Sequence, residues 1–83
     1  VRVDGRRVHL TSKEMGLLAL FLHRPNWLHP YARLWETLWG YESESWEYVL
    51  AVTVSALRRK LGKDWGARIM AHTGKGYEFV SPP

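Results

Sequence analysis

Apolar residues recur along this chain with two periods, and the points where the period changes divide it into segments. Val1-Arg2-Val3 and Arg7-Val8-His9-Leu10 alternate apolar and polar positions on either side of Asp4-Gly5. Period two around an Asp-Gly pair predicts a β-hairpin with a tight turn. One hairpin is marginal alone in water, so this one needs a covering surface. Thr11-Ser12-Lys13-Glu14 then reads as a capping box, in which the Thr11 hydroxyl and the Glu14 carboxylate satisfy each other's backbone N–H groups. Leu10 and Met15 flank it as a hydrophobic staple. The first helix follows, with Met15, Leu18, Phe21 and Leu22 expected on its inner face, Gly16 weakening it slightly, and Pro25-Asn26 ending it.

His29-Pro30 is expected to open a second helix, because proline suits a first turn. Its apolar stripe is Leu34, Trp35, Leu38 and Trp39, and Gly40 closes it. Tyr41 to Glu44 form a short acidic loop. A third helix is predicted from about Ser45 to Leu61. Leu50, Val54, Leu57 and Leu61 fall at spacings of four, three and four, which is one helical face, and Gly62 stops it. After a loop around Asp64–Gly66, Arg68–His72 and Tyr77–Val80 read as two strands joined by the turn Thr73-Gly74-Lys75-Gly76. The order hairpin, three helices, hairpin predicts an α+β domain of the winged helix-turn-helix class, with a three-helix core and a C-terminal β-hairpin wing.

Length and composition narrow what such a domain can do. Eighty-three residues make one domain, which must commit most of its apolar residues, including five Trp, to one core. The absence of cysteine leaves no disulfide, thiolate metal site or thiol nucleophile, and fits a reducing compartment such as the cytoplasm. No apolar stretch approaches a membrane span, and no signal peptide is expected. The first residue is Val1, and the chain is expected to be a piece of a longer one. His9, His23, His29 and His72 show no metal-ligand spacing, and neither a Ser-His-Asp set nor a carboxylate pair suggests an enzyme. No metal or other cofactor is expected.

Charge adds direction. The formal net charge is +4, distributed as a basic first third, an acidic middle with Glu36, Glu42, Glu44 and Glu47, and a basic run from Arg58 to Lys75 interrupted only by Asp64. That patchiness favours a directed contact with a polyanion. A helix ending in Arg58-Arg59-Lys60, followed by a hairpin with its own Lys75, is the pairing with which winged helices engage duplex DNA. Opposite the buried stripe, the third helix presents Tyr48, Val52, Ser55, Ala56 and Arg59, with Arg58 and Lys60 on its flanks. Arg59 suits a guanine edge, Val52 and Ala56 suit thymine methyls, and Ser55 suits a base or a phosphate. In the hairpin, Lys75 suits a phosphate or the minor groove, with His72 and Thr73 beside it.

Four groups of residues resemble one family. Leu10-Thr11-x-x-Glu14-x-x-Leu17-Leu18, Leu34-x-x-x-x-Trp39-Gly40, Leu57-Arg58-Arg59-Lys60-Leu61 and Gly74-x-Gly76-Tyr77-x-Phe79 occur in order across almost the whole chain. In this the chain resembles the DNA-binding output domain of OmpR/PhoB-type response regulators. The resemblance implies a four-stranded sheet ahead of the first helix, of which two strands are found here. It also implies a receiver domain upstream and contact with RNA polymerase through Tyr41–Glu44. It places the Trp39 indole N–H on a phosphate and includes the wing residue Tyr77 among the binding residues. The DNA-contacting set is therefore expected to be Trp39, Tyr48, Val52, Ser55, Ala56, Arg58, Arg59, Lys60, Thr73, Lys75 and Tyr77, acting as a homodimer or on tandem sites.

The chain also departs from the family. Ala51-Val52-Thr53 stands where Asp-x-His is usual, Ser55 and Ala56 where basic or polar residues are common, Tyr31 where an arginine begins the second helix, and Thr73 where a wing arginine precedes the glycine. These departures motivate a second reading, in which the domain has lost DNA readout and serves as a protein-interaction or regulatory module appended to another domain.

Overall fold

A computed structural model describes residues 1–83. Asp4 and Gly5 both take positive φ, 51° and 79°. They form the two-residue turn whose twist matches that of paired strands. The turn joins β1 (Arg2–Val3) to β2 (Arg6–Arg7), with Arg2 opposite Arg7 and Val3 opposite Arg6. Cover for this short hairpin comes from the core, which takes in Val3, Val8 and Leu10, and from Trp65, whose indole N–H donates to the Asp4 carboxylate at 3.1 Å.

The capping box forms as predicted at the start of α1 (Ser12–His23). The Glu14 N–H donates to Thr11 Oγ1 at 3.2 Å, and the Thr11 N–H donates to Glu14 Oε1 at 2.9 Å. The inner face differs from the expected one. Glu14, Leu17 and Phe21 are buried and Leu18 half-buried, whereas Met15 and Leu22 are 41% and 55% exposed. From Met15 to Leu22 every residue is apolar or glycine, so periodicity alone does not choose a face. Tertiary contacts choose it. A side chain on Gly16 would stand 2.6 Å from a Leu38 methyl, so glycine here permits the close approach of the next helix.

His29-Pro30 is not the first turn of a helix. It forms β3 (His29–Pro30), paired with the last strand, and Pro30 is the residue before α2 (Tyr31–Leu38). At this edge the missing proline N–H costs no ladder bond. α2 buries Leu34 and Trp35 and half-buries Leu38, and Gly40 at φ 74° turns the chain away. α3 (Trp46–Leu61) buries the predicted stripe of Leu50, Val54, Leu57 and Leu61, and Gly62 at φ 93° ends it. The expected loop at Asp64–Gly66 is instead a single helical turn, α4 (Lys63–Gly66), too short to leave a periodic signature. Gly66 brings it against α3, since a Cβ there would collide with the Arg58 carbonyl group.

β4 (Ile69–His72) and β5 (Gly76–Phe79) form the C-terminal hairpin in the register Ile69–Phe79, Met70–Glu78, Ala71–Tyr77 and His72–Gly76. With β3 they make a three-stranded antiparallel sheet in the order β3-β5-β4. Seven side chains are less than 2% exposed: Leu17, Phe21, Leu34, Leu50, Val54, Leu57 and Ile69. Each such burial contributes about 1.5–3 kcal/mol, so all three long helices and the sheet depend on one core. No helix is long and apolar enough to cross a membrane.

Gly76 carries the tightest constraint in the sheet. A Cβ there would strike the His29 carbonyl group and stand 3.0 Å from Pro30 Cα, and backbone cannot rotate aside. Gly76→Ala is expected to part β3 from β5 and destabilise the domain by about 3 kcal/mol, the upper end for overpacking. Urea denaturation with tryptophan fluorescence checks this, and Gly74→Ala, at a turn with open space around it, should cost less.

Candidate nucleic-acid interface

Three consecutive cations end α3, and the helical rotation of 100° per residue sends them in three directions. Arg58 points to the sheet. Its guanidinium donates twice to the Ile69 carbonyl, at 2.9 and 2.6 Å, and lies 5.8 Å from the centre of the Tyr77 ring. Lys60 points to the opposite flank, where its ammonium meets Glu14 Oε1 at 2.7 Å. Arg59, between them, is exposed. Of the three cations expected to meet DNA, only Arg59 therefore has no intramolecular partner here. The guanidinium of Arg58 is engaged with β4, and Lys60 is engaged with a carboxylate that is only 6% exposed.

Glu14 shows what Lys60 does instead. Burial raises the carboxyl pKa, but the hydrogen bond and charge of Lys60, with the Thr11 bonds, outweigh it and hold the group below its ordinary value of 4.5. Glu14 thus caps its own helix and ties α1 to α3 with a single side chain.

The outward face of α3 lies close to where the sequence predicts, with exposed Ala51 added and Ala56 partly withdrawn. Tyr48 and Val52 are 72% and 48% exposed, Ala51 and Ser55 are exposed, and Ala56 is half-buried. Arg59 also borders a shallow groove of about 660 Å³ between the end of α3, α4 and β4. Lys63 and Gly62 stand on the same rim, and Met70 and Ala71 of β4 form the far wall. Helix and hairpin therefore share one concave surface. Lys63, Met70 and Ala71 are missing from the sequence-derived set. A guanidinium nitrogen of Arg6 adds charge nearby, 3.3 Å from where a Gly62 side chain would begin. No sequence periodicity connects these residues, because α4 and the β1–β2 hairpin reach the end of α3 only through the tertiary fold.

In the hairpin, Thr73 and Lys75 are exposed at the turn. Tyr77 is not: it is 7% exposed, with its ring edge-on to Tyr31 at 5.2 Å, and burial raises its hydroxyl pKa. It is a core residue of the sheet, and its ring supports the hairpin from within. Trp39 is half-buried and stacked on Trp35 at 4.6 Å, with the Lys13 ammonium 5.4 Å from its ring. Its ring is thus fixed by α1 and α2.

Residues 5–79 match the family described as "Transcriptional regulatory protein, C terminal". The chain belongs to this family. It is 38% identical over 79 residues to the transcriptional regulatory protein PrrA of Mycobacterium leprae, covering 95% of this chain and 34% of that protein. It is 33% identical over 78 residues to the transcriptional regulatory protein CiaR of Streptococcus pneumoniae, covering 93% of this chain and 35% of that protein. The chain thus spans about a third of the length of these relatives. Its fold is that of the response regulator AdeR DNA-binding domain solved in complex with an intercistronic region, with a TM-score of 0.74 and 23% identity over 90% of this chain and 78% of that one. The C-terminal domain of the nisin resistance regulator NsrR matches with a TM-score of 0.71 and 27% identity, over 92% and 78% of the two chains. The predicted α+β winged-helix class is therefore correct.

Within this transcriptional regulatory family, the chain's departures acquire structural explanations. Tyr31, standing where the family commonly has arginine, donates its hydroxyl to the His72 carbonyl at 3.1 Å, while its backbone N–H donates to the Lys75 carbonyl at 3.2 Å. Both bonds fasten the hairpin turn to the start of α2. Thr53 turns its hydroxyl onto the Val49 carbonyl at 2.7 Å, so it is satisfied within the helix.

Replacing Lys60 by methionine tests the ion-pair assignment. It leaves a buried carboxylate without its cation, and a loss of about 1–3 kcal/mol at neutral pH is expected. Because the folded-state pKa of Glu14 is depressed, the pair's contribution is present above 4.5 and lost as pH falls through the lower folded value. The stability gap between the wild type and Lys60→Met should therefore close on acidification, as measured by urea denaturation at a series of pH values.

Proposed function

We propose that this domain binds duplex DNA in a sequence-specific manner as the output module of a transcriptional regulator, with α3 in the major groove and the β4–β5 hairpin along the adjacent backbone. The observation that carries the reading is the exposed Arg59 on the rim of a groove that α3 shares with β4, with Lys63 beside it. Membership of the transcriptional regulatory family supports it. In this arrangement Tyr48, Val52, Ser55 and Ala56 face base edges, and Arg59 takes a guanine or a phosphate. Lys63, Thr73 and Lys75 follow the backbone, and the Trp39 N–H reaches a phosphate at the edge. Arg58 acts through β4, holding the hairpin at a set angle to the helix.

Two copies on adjacent half-sites fit the small number of base-reading side chains, since one small module with few such contacts binds modestly. The loop Tyr41–Glu44 is the proposed surface for RNA polymerase. The Trp35 indole N–H donates to the Tyr41 carbonyl at 2.7 Å and steadies this loop, while Glu42 and Glu44 stay exposed.

Fluorescence anisotropy on random duplex DNA at rising salt tests the reading. Affinity should fall linearly on logarithmic axes, because bound phosphates release counterions. Arg59→Met should reduce that slope by about one if Arg59 meets a phosphate, and Arg59→Glu should abolish binding. Arg58→Met should leave the slope unchanged and weaken binding about tenfold, near 1.4 kcal/mol. Absent binding at ~50 mM salt, or a flat salt dependence, would refute the proposal.

A further inference from the structure

The exposed face of α3 is mostly apolar at its first turns. Tyr48 at 72%, Val52 at 48% and the exposed Ala51 project from one side of the helix, away from the buried Leu50 and Val54. The neighbouring polar groups do not alter this. The Thr53 hydroxyl is satisfied by Val49, Arg58 by Ile69 and Lys60 by Glu14. Apart from the Tyr48 hydroxyl, hydrogen-bonding side chains reappear on this face at Ser55 and Arg59.

The cations around the patch say what covers it. Arg59 lies farther along the same face, Lys63 follows on the groove rim, and Lys75 sits at the hairpin turn. Glu47, exposed in the first turn, flanks the patch beside Ala51, and the cations lie toward the other end of the helix and at the hairpin turn. On that cationic side the patch suits a ligand with anionic edges and an apolar feature between them. A duplex has that form. Its major groove lies between phosphate strands, and the apolar group it displays at base edges is the thymine C5-methyl. Alanine and valine make no hydrogen bond to a base edge, but both make good contact with a methyl group.

We infer that Ala51 and Val52 read thymine C5-methyl groups, so that this domain selects its operator largely through methyl contacts. The inference rests on the DNA-binding reading above. Val52 and Arg59 lie seven residues apart, about 10 Å along the helix, or roughly three base-pair steps. The selected half-site should therefore hold a thymine about three steps from the base or phosphate that meets Arg59.

The test selects a binding site from a random duplex pool and then replaces the half-site thymines with uracil, which removes the methyl and keeps the pairing. Affinity should fall about fourfold for each contacted methyl. Uracil placed outside the half-site should have no effect. Val52→Asn, which puts a polar amide where the apolar contact was, should remove the thymine–uracil difference at the one thymine that Val52 meets and leave that at the Ala51 contact, which separates a methyl contact from a general change in DNA shape.

Equal affinity for both duplexes, or a selected site without thymine, overturns the inference. The DNA-binding reading then still stands if binding keeps its salt dependence. Loss of all duplex binding overturns both. Uracil penalties that Val52→Asn leaves intact at every thymine of the half-site assign the methyl contacts elsewhere and also overturn the inference.

Discussion

The Ile69 carbonyl oxygen accepts two hydrogen bonds from one guanidinium, and the relation between helix and hairpin depends on that contact. Arg58 belongs to the last turn of α3, and Ile69 opens β4. A planar fork delivering two N–H groups to one oxygen restrains direction as well as distance. Gly66 reinforces the arrangement, because without a side chain α4 can settle against the Arg58 carbonyl group. The shared groove exists because these two contacts hold its walls at a set separation.

Other unions in the domain follow the same logic, in which one side chain serves two elements. Glu14 closes its own helix through Thr11 and also receives Lys60 from α3. Tyr31 begins α2 and holds the hairpin turn by its hydroxyl and its backbone N–H. Trp35 fills the core, stacks on Trp39 and donates to the loop beyond α2. A small domain has little interior to divide among separate tasks. Multiple use of single residues is one way for it to set several angles at once. It also explains how the expected arginine can be absent at the start of α2 without loss of order, since tyrosine there does mechanical work.

For function, the consequence is a division of labour among neighbouring cations. Arg59 is presented to solvent because Arg58 and Lys60 are held by partners on either side. The outward face of α3 that remains, proposed to meet base edges, has few hydrogen-bonding groups and is mainly apolar at its first turns. Under the proposed DNA-binding role, such a surface would discriminate modestly per position, which is the reason two copies on adjacent half-sites are proposed.

Most of the secondary structure was legible in the chain itself. The Asp4-Gly5 turn, the capping box at Thr11 and Glu14, the stripe from Leu50 to Leu61 and the glycine stop after it each depend on residues within a few positions of one another. The buried face of α1 was not legible, because an unbroken apolar run has no local preference and Gly16 and Glu14 are oriented by other helices. β3 was hidden because His29-Pro30 is a strand only by virtue of Tyr77 and Gly76, far along the chain. The fates of Arg58, Arg59 and Lys60 were hidden for the same reason. Sequence order makes them look alike, and their partners lie 11 residues away for Arg58 and 46 for Lys60. Local propensity acts over a single turn, whereas the choice between a buried partner and open solvent belongs to whatever the finished fold places opposite.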